Sequence, residues 1–431
     1  MFRPILKKLT NVSRRQYCYK SVKRPTFQKE TSPRRPKGTP VDKAPKDNVD
    51  LTKHLQAKIL ATGPITVAEY MREVLTNPHS GYYMNRDVFG KEGDFITSPE
   101  ISQIFGELVA VWILSEWQKM GSPKFQLVEL GPGRGTLMRD VLKVLSKFKL
   151  NKDFSIHMVE ISPHLSKQQA QLLCYSFDDA DANVDMYYRK GETASGTKIF
   201  WYSRLEDVPK KFSVVLAHEF FDALPIHKFQ FDNGLWKEVL IDIAENSTSD
   251  FRYVLSKNQT PMSKIFNPVA GDTRKIIEYS LESDRLIGLL VERFERDGGL
   301  GLIMDYGHFG EKGDSFRAFK KHALHDPLKF PGTADLTADV DFRQMKSVAE
   351  RNHQTVCFGP VEQGVFLYKM QGEVRLESIL RSALPENHSS IRSAYQMLTH
   401  REQMGARFKF FSMFPFVLKD HLTKFPVNGF H

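Results

Sequence analysis

The sequence of 431 residues predicts an α/β fold with a Rossmann-like, doubly wound sheet. Short apolar runs alternate with amphipathic segments, as expected for parallel strands that are covered by helices on both faces. One apolar run leads directly into a glycine-rich turn and a helix start. Acidic residues follow several of the other runs, and the carboxyl ends of strands line the ligand crevice in open α/β sheets.

Composition agrees with a large globular protein. Hydrophobic residues make up 41% and aromatic residues 12% of the chain, which is ample for a buried core. The length exceeds that of one compact domain, so we expect a main domain with additions. No apolar run reaches about 18 residues, so no transmembrane segment is predicted. Cys18, Cys174 and Cys357 lie far apart, which argues against a zinc site and a disulfide scaffold.

The net charge of +10 is concentrated at the start of the chain. Of the 61 basic and 51 acidic residues, 14 and 2 fall within residues 1–46, so the remainder carries 47 and 49. The body of the protein is therefore nearly neutral. A nucleic-acid partner loses its main electrostatic support.

The first 29 residues contain nine Lys or Arg and no acid, with apolar residues spaced between them. This pattern predicts a mitochondrial presequence, and a disordered basic tail is the alternative. Residues 30–48 are rich in proline and predict a flexible linker. Location in the mitochondrial matrix would also agree with reduced cysteines.

Residues 49–120 predict a helical cap in front of the sheet. Leu51, Leu55 and Ile59 recur every fourth residue until a Gly-Pro pair ends the helix. Thr66 and Glu69 form a capping-box pattern that opens a second helix. A third helix follows, and we interpret its apolar face as core packing rather than as a ligand site.

The glycine-rich turn follows a short apolar strand. Its glycines are Gly131, Gly133 and Gly135, and Glu129 stands near the strand end. A dinucleotide-binding loop would place the third glycine one residue later, where this chain has threonine. The observed spacing is typical of S-adenosylmethionine-dependent methyltransferases, and a tight structural turn is the alternative. We expect Glu129 and the three glycines in a cofactor site.

A second apolar run, Phe154 to Ile161, contains Glu160 near its end, about thirty residues after Glu129. A carboxylate at this place can accept two hydrogen bonds from the hydroxyls of a ribose. The alternative is a surface glutamate that caps the next helix. A third strand is expected from Thr197 to Tyr202.

The fourth strand, Ser213 to Ala217, is followed by acidic and aromatic residues that include Glu219 and Asp222. Buried carboxylates need partners, so these two acids are poorly explained as core. A zinc-protease motif would require histidine at 222, and metal hydrolysis is therefore rejected. A later strand, Gly301 to Gly307, carries Asp305 near its end. Glu219, Asp222 and Asp305 are the candidate catalytic residues.

The β/α alternation is interrupted by residues 226–298, which predict an inserted α+β substrate-side subdomain with a hairpin around Asn233-Gly234. The methyltransferase core would then comprise residues 121–225 and 299–370. Closing strands are expected near Thr355–Phe358 and Val365–Lys369. Residues 371–431 predict a helical tail, and we interpret its phenylalanines between 408 and 416 as a docking surface.

Several long segments together resemble the MidA-like family of mitochondrial protein arginine methyltransferases, which assist the assembly of respiratory complex I. They are Glu-Leu-Gly-Pro-Gly-Arg-Gly, Gly-Asp-Phe-Ile-Thr-Ser-Pro-Glu-Ile-Ser, Ala-His-Glu-Phe-Phe-Asp-Ala-Leu-Pro, Asp-Tyr-Gly and Pro-Gly-Thr-Ala-Asp-Leu-Thr-Ala-Asp-Val-Asp-Phe, in this order. The resemblance covers about residues 50–415. It implies a class I methyltransferase fold, S-adenosylmethionine as cofactor, and matrix location.

The resemblance also implies symmetric dimethylation of an arginine in a core matrix-arm subunit of complex I. It places Gly131, Gly133, Gly135 and Glu160 in the cofactor site. The sequence departs from the general methyltransferase pattern after the third strand, where an acid usually meets the adenine amine. This chain has Trp201-Tyr202-Ser203 there.

An arginine guanidinium is a poor nucleophile because its pKa is very high. A carboxylate pair can hold two of its N–H groups and localise the positive charge on one nitrogen. Glu219 is the first candidate, followed by Asp222 or Asp305. A non-catalytic assembly chaperone with the same fold is the alternative function. A nicotinamide-dependent oxidoreductase is disfavoured by the glycine spacing.

Overall fold

A computed structural model describes residues 51–84, 96–148, 150, 154–180, 185–245 and 250–431. The predicted presequence and linker lie outside these residues. The strands are β1 (Ile65–Thr66), β2 (Phe125–Leu130), β3 (Phe154–Val159), β4 (Ser176–Asp179), β5 (Arg189–Glu192), β6 (Lys198–Tyr202), β7 (Ser213–His218), β8 (His227–Asp232), β9 (Leu235–Ile243), β10 (Phe251–Leu255), β11 (Ile276–Tyr279), β12 (Gly299–His308), β13 (Arg317–Lys320), β14 (Ala323–His325), β15 (Asp335–Thr337), β16 (Val340–Asp341), β17 (Thr355–Glu362) and β18 (Phe408–Pro415).

The α-helices of the described residues are α1 (Leu51–Thr62), α2 (Val67–Thr76), α3 (Ser98–Ile101), α4 (Gln103–Lys119), α5 (Thr136–Lys147), α6 (Pro163–Leu173), α7 (Pro261–Ile265), α8 (Leu281–Asp297), α9 (Phe342–Ala349), α10 (Gln363–Lys369), α11 (Gly372–Ser382), α12 (His388–Thr399) and α13 (Lys419–Lys424). Within this part of the chain, none of them combines the length and apolar character that a bilayer span needs. Thr66 is the N-cap of α2, and its hydroxyl oxygen accepts the backbone N–H of Glu69, which is one of the two hydrogen bonds of the predicted capping box.

The main sheet has the strand order β17-β18-β12-β7-β2-β3-β6-β5-β4, with β16 beside β12. Strands β6, β3, β2, β7 and β12 are mutually parallel. Strand β18 runs antiparallel between β12 and β17. The predicted doubly wound, mostly parallel sheet is confirmed. Strand β2 lies at the centre of this sheet. The glycine turn follows β2 and therefore lies at the edge formed by the carboxyl ends of the parallel strands.

Helices cover both faces of this sheet, and strand β2 shows why. Its side chains alternate between the faces: Leu127 packs with α4, α5 and α6, whereas Val128 packs with α8 and α9. All six residues of β2 are buried, as expected for a central parallel strand. By the same alternation, Glu129 lies on the face of Leu127.

A second unit is built from three distant parts of the chain. Strands β1, β9, β8 and β11 form an antiparallel sheet, with β10 beside β9. Strands β14, β13 and β15 form a smaller sheet. One apolar cluster joins residues from α1 and α2, from β9 and from β15, such as Leu55, Ile241 and Leu336. The predicted hairpin is confirmed as β8 and β9.

Helix α8 falls within the predicted insertion but packs on the main sheet through Ile287, Leu290 and Phe294. Strand β18 falls within the predicted helical tail. The proposed division into domains stays a prediction.

The docking-surface interpretation of the C-terminal phenylalanines is wrong for Phe410, Phe411 and Phe414, which are fully buried in β18. The strand prediction for Val365–Lys369 is also wrong, because α10 lies there. Phe366 of α10 stacks on Phe410 with ring centroids 3.9 Å apart. A short apolar run is compatible with a buried helix turn as well as with a strand, so this pattern does not distinguish them. The predicted strand near Thr355–Phe358 is confirmed as part of β17.

Candidate active site and cofactor pocket

The glycine turn after β2 has the backbone geometry that its sequence predicts. Gly131, Gly133 and Gly135 all have positive φ values, of 59°, 54° and 81°. A Cβ atom at Gly131 would lie 2.6 Å from a ring carbon of Phe220, and one at Gly135 would contact Gln169. Gly135 is the N-cap of α5. The loop therefore needs glycine both for its φ angles and for close packing.

Glu129 is 2% exposed, and its Oε2 atom has no hydrogen-bond partner among the described residues. Burial, reinforced by the charge of Glu160, raises the pKa of Glu129 to about 8. Glu160 is also buried, and this burial raises its pKa to about 7. Its two oxygens accept hydrogen bonds from the backbone N–H of Ser162 (2.8 Å) and from Nε2 of Gln169 (3.0 Å).

A cavity of about 410 Å³, part of it open to solvent, lies against the loop. The cavity lining includes Glu129, Gly131, Gly133 and Glu219, together with residues of α3. The structure thus brings the predicted cofactor loop and the first catalytic candidate to one pocket. Gly135, the last glycine of the loop, and Glu160 are not part of this lining.

Glu219 occupies the turn immediately after β7 with φ of 48°, a left-handed conformation that is uncommon for a non-glycine residue. Its Oε1 atom accepts a long hydrogen bond of 3.4 Å from the backbone N–H of Ser98 and lies 3.3 Å from Nε2 of His218. Burial, and then the charge of Asp222, raises the pKa of Glu219 well above the ordinary carboxyl value. Burial lowers the pKa of His218 to about 3, so this imidazole is neutral.

The two carboxylate oxygens of Asp222 differ in their hydrogen bonding. Its Oδ2 atom accepts hydrogen bonds from the hydroxyls of Tyr306 and Thr337 (2.8 Å for Thr337). Its Oδ1 atom is buried without a partner in the described part of the chain. Burial raises the pKa of Asp222, and the two hydroxyl groups oppose that rise. One oxygen is thus oriented by two hydroxyl groups, and the other makes no hydrogen bond within the described residues.

Asp305 supports the turn that carries the other two acids. Its Oδ2 atom accepts the backbone N–H groups of Phe220 (3.1 Å), Phe221 (3.0 Å) and Asp222 (3.3 Å). Its Oδ1 atom accepts the N–H of Tyr306 (3.0 Å). Burial and then the neighbouring acids raise the pKa of Asp305. Both carboxyl oxygens of Asp305 accept backbone N–H groups, so this residue fixes the conformation of the turn.

Several residues at this edge carried no prediction of a role. Tyr83 donates its hydroxyl to Oδ1 of Asp335 at 2.5 Å, and Thr337 contacts Asp222. Asp335 and Thr337 lie in the Pro-Gly-Thr-Ala-Asp-Leu-Thr segment that carries part of the family resemblance, whereas Tyr83 lies in none of these segments. Gln169 also went unnoticed, because a glutamine on an amphipathic helix carries no signal of its own.

The residues present fit S-adenosylmethionine. Glu129 lines the cavity and has an unpartnered Oε2 atom, which an ammonium or hydroxyl donor would satisfy. The glycine turn exposes main chain at the start of α5 to a polar ligand. Trp201, which stands in place of the usual adenine-contacting acid, is fully buried, and its indole N–H donates to Oε1 of Gln169 at 2.9 Å.

The parallel sheet, the glycine turn and the acids at the strand ends together define an S-adenosylmethionine-dependent methyltransferase. The sequence profile of a family of S-adenosyl-L-methionine-dependent methyltransferases matches residues 108–361. The chain belongs to this family.

Similar proteins agree with this assignment. A Drosophila melanogaster protein named protein arginine methyltransferase NDUFAF7 homolog, mitochondrial, is 63% identical over 97% of this chain and 98% of its own. The Homo sapiens protein arginine methyltransferase NDUFAF7, mitochondrial, is 47% identical over 85% and 83%. A crystal structure from Burkholderia thailandensis bound to S-adenosyl-homocysteine has a TM-score of 0.69 at 21% identity, covering 85% of this chain and 92% of that one. The predicted family resemblance and class I fold are confirmed.

Proposed function

We propose that the protein is a mitochondrial matrix enzyme that transfers methyl groups from S-adenosylmethionine to an arginine of a protein substrate. The names of the relatives, at 47% to 63% identity over most of the chain, support arginine as the acceptor and the mitochondrion as the location. Symmetric dimethylation, and a core matrix-arm subunit of respiratory complex I as substrate, rest on the motifs shared with the MidA-like family.

One observation carries the choice of acceptor: the turn after β7, which packs on Gly131 through Phe220, holds two acids shielded from solvent, with Asp222 buried and the Glu219 side chain 13% exposed. Glu219 lines the same cavity as Gly131 and Gly133, and Asp222 has an unpartnered, buried Oδ1 atom. Buried carboxyls that raise one another's pKa gain from a cationic partner. A guanidinium supplies positive charge and several N–H donors in one plane, which carboxylates accept well.

When bound, S-adenosylmethionine supplies a methyl group on a positively charged sulfur, and the sulfur keeps the electron pair of the C–S bond that breaks. Glu219 and Asp222 each accept N–H groups of the guanidinium and hold it in the cavity beside the loop. This pairing draws positive charge toward the held nitrogens and leaves the attacking nitrogen more nucleophilic. The methylated nitrogen loses one proton, which Glu219 takes up at its carboxylate.

Glu219 suits the proton-accepting role because burial raises its pKa. Asp222 suits the orienting role because Tyr306 and Thr337 fix its Oδ2 atom. We propose that Asp305 contributes through the turn, since its carboxylate holds three consecutive backbone N–H groups. Glu129, Glu160 and the backbone of Gly131, Gly133 and Gly135 would hold the cofactor.

The test compares wild type with Glu219→Gln. The full chain is incubated with labelled S-adenosylmethionine and early complex I intermediates, and mass spectrometry identifies methylated arginines. We expect symmetric dimethylarginine from wild type. The variant should transfer methyl groups at least about 100-fold more slowly, which is the loss typical of removing a general base. Calorimetry with S-adenosyl-homocysteine should give unchanged affinity.

Glu116→Gln is the matched control, since this buried glutamate of α4 pairs with Lys119 away from the cavity. Full turnover by Glu219→Gln would refute the role of Glu219. Asymmetric dimethylarginine would refute the symmetric product. A bound but unmodified subunit would refute the enzyme and favour the non-catalytic chaperone.

A further inference from the structure

Gln169 of α6 is a buried side chain whose amide contacts three separate elements at the cofactor site. Its Nε2 atom donates to the carbonyl of Gly133 at 2.6 Å and to Oε2 of Glu160 at 3.0 Å. Its Oε1 atom accepts the indole N–H of Trp201 at 2.9 Å. The side chain is fully buried, so these contacts replace water completely.

The chemistry of the partners fixes the orientation of this amide. An indole nitrogen can only donate, and a backbone carbonyl can only accept. Rotating the amide by 180° would set its oxygen against the carbonyl of Gly133 and its NH₂ group against the N–H of Trp201. Both NH₂ hydrogens are therefore committed, one to the loop and one to Glu160.

Gln169 also contacts the third glycine of the loop. A Cβ atom at Gly135 would lie 3.4 Å from Cγ and 3.6 Å from Cβ of Gln169. One side chain from α6 thus touches the middle and last glycines and the acid after β3. These groups belong to different α/β units, and Gln169 connects the two units at the site.

We infer that Gln169 is a positioning residue for cofactor binding, which holds the carbonyl of Gly133 and the carboxylate of Glu160 at a fixed mutual position while Trp201 orients its amide. The inference rests on the proposed cofactor site and deepens it. Because Gln169 itself touches no reacting atom, it acts through the loop and through Glu160.

Gln126 provides a matched control. It is 1% exposed, and its Nε2 atom also makes two hydrogen bonds, to the carbonyl of Pro209 (2.6 Å) and to Oγ of Ser213 (2.9 Å). It is the second residue of β2, so it lies at the end of the strand opposite to the loop. Leucine in either place removes two buried donors, but only Gln169→Leu removes them from the cofactor site.

The experiment measures S-adenosyl-homocysteine binding to the full chain by calorimetry. Both leucine variants should lower the melting temperature. Gln169→Leu should weaken binding about 10-fold or more, the usual consequence of leaving buried polar groups unsatisfied, whereas Gln126→Leu should stay within about threefold. In turnover assays, Gln169→Leu should raise KM for S-adenosylmethionine and leave kcat and the KM for substrate within about threefold.

Equal losses of affinity in the two leucine variants, or wild-type affinity in Gln169→Leu, would overturn the inference. If Gln169→Leu does not fold, Gln169→Glu decides the question, because it keeps the shape of the side chain. Its carboxylate would face Glu160, with Glu129 and Tyr188 nearby. Raising the pH from about 6 to about 8.5 should therefore weaken its binding more than it weakens that of wild type.

Parallel pH profiles for Gln169→Glu and wild type would likewise count against the inference. The binding assay does not depend on arginine transfer. If the wild-type protein binds S-adenosyl-homocysteine normally but methylates no arginine, the proposed function is refuted and the role of Gln169 in cofactor binding is unaffected.

Discussion

Replacing Glu129 by glutamine should make the protein more stable at alkaline pH. Burial, with a contribution from Glu160, raises the pKa of Glu129 from 4.5 to about 8. The folded protein thus holds this proton more tightly than the unfolded chain does. The free energy of unfolding therefore falls as the pH rises from 4.5 to about 8 and levels off above that range. Glutamine removes the titrating group while keeping the shape of the side chain.

The size of the effect follows from the shift. With these two pKa values, the free energy of unfolding loses about 2 kcal/mol by pH 6 and about 4 kcal/mol by pH 8. The loss between the two pH values is thus about 2 kcal/mol, which for a chain of this length corresponds to a change of about 2 °C in Tm. Glu160 titrates nearby, so the two acids share the change.

Differential scanning calorimetry at pH 6 and pH 8, without cofactor, checks this prediction. The Tm of wild type should fall by about 2 °C more than that of Glu129→Gln. Glu402→Gln, at an exposed position, is the control and should follow wild type. If the curves of wild type and Glu129→Gln are parallel across this range, the buried carboxyl does not titrate as the structure implies, and the reasoning is refuted.

Four further outcomes are expected. Gly131→Ala should cost about 2 kcal/mol of stability because of its left-handed φ and its phenylalanine contact, and calorimetry should show loss of S-adenosyl-homocysteine binding. Asp305→Asn should lower the free energy of unfolding by about 3 kcal/mol, as measured in urea, because one amide oxygen cannot accept all four backbone N–H groups that the two carboxyl oxygens hold. Since the pKa of Glu219 is raised by burial, kcat/KM for the protein substrate should rise with pH, and a Glu219→Gln profile that rises equally would contradict this. Thr337→Val removes one of the two hydroxyl donors to Oδ2 of Asp222 and should lower kcat/KM about 10-fold; an unchanged value would exclude the orienting role of Thr337.

The sheet and the loop could be predicted because their signals are local. The run that ends at Leu130, the three glycines and the acids after the strands lie within a few residues of one another. Parallel topology then brings Glu129 and Glu219 to the same edge without further information. The partners of the acids could not be predicted, because Tyr83 and Asp335 are separated by 252 residues in sequence. No periodicity or spacing encodes such a contact.

The errors have a similar physical origin. The docking-surface prediction for the phenylalanines of β18 fails because the strands with which they pair are distant in sequence. Their neighbours are Gly301 to Tyr306 on one side and the strand from Thr355 on the other. Val365–Lys369 has the same apolar character as a strand, but it forms a helix that packs against Phe410.

The position of β18 has a consequence for inherited or engineered truncations. A stop codon that removes residues 408–431 would leave every proposed site residue in place. It would nevertheless give two new sheet edges, at β12 and at β17, with unpaired backbone groups that invite aggregation. Such a shortened product should be insoluble rather than merely less active, so late nonsense mutations in this gene should behave as null alleles.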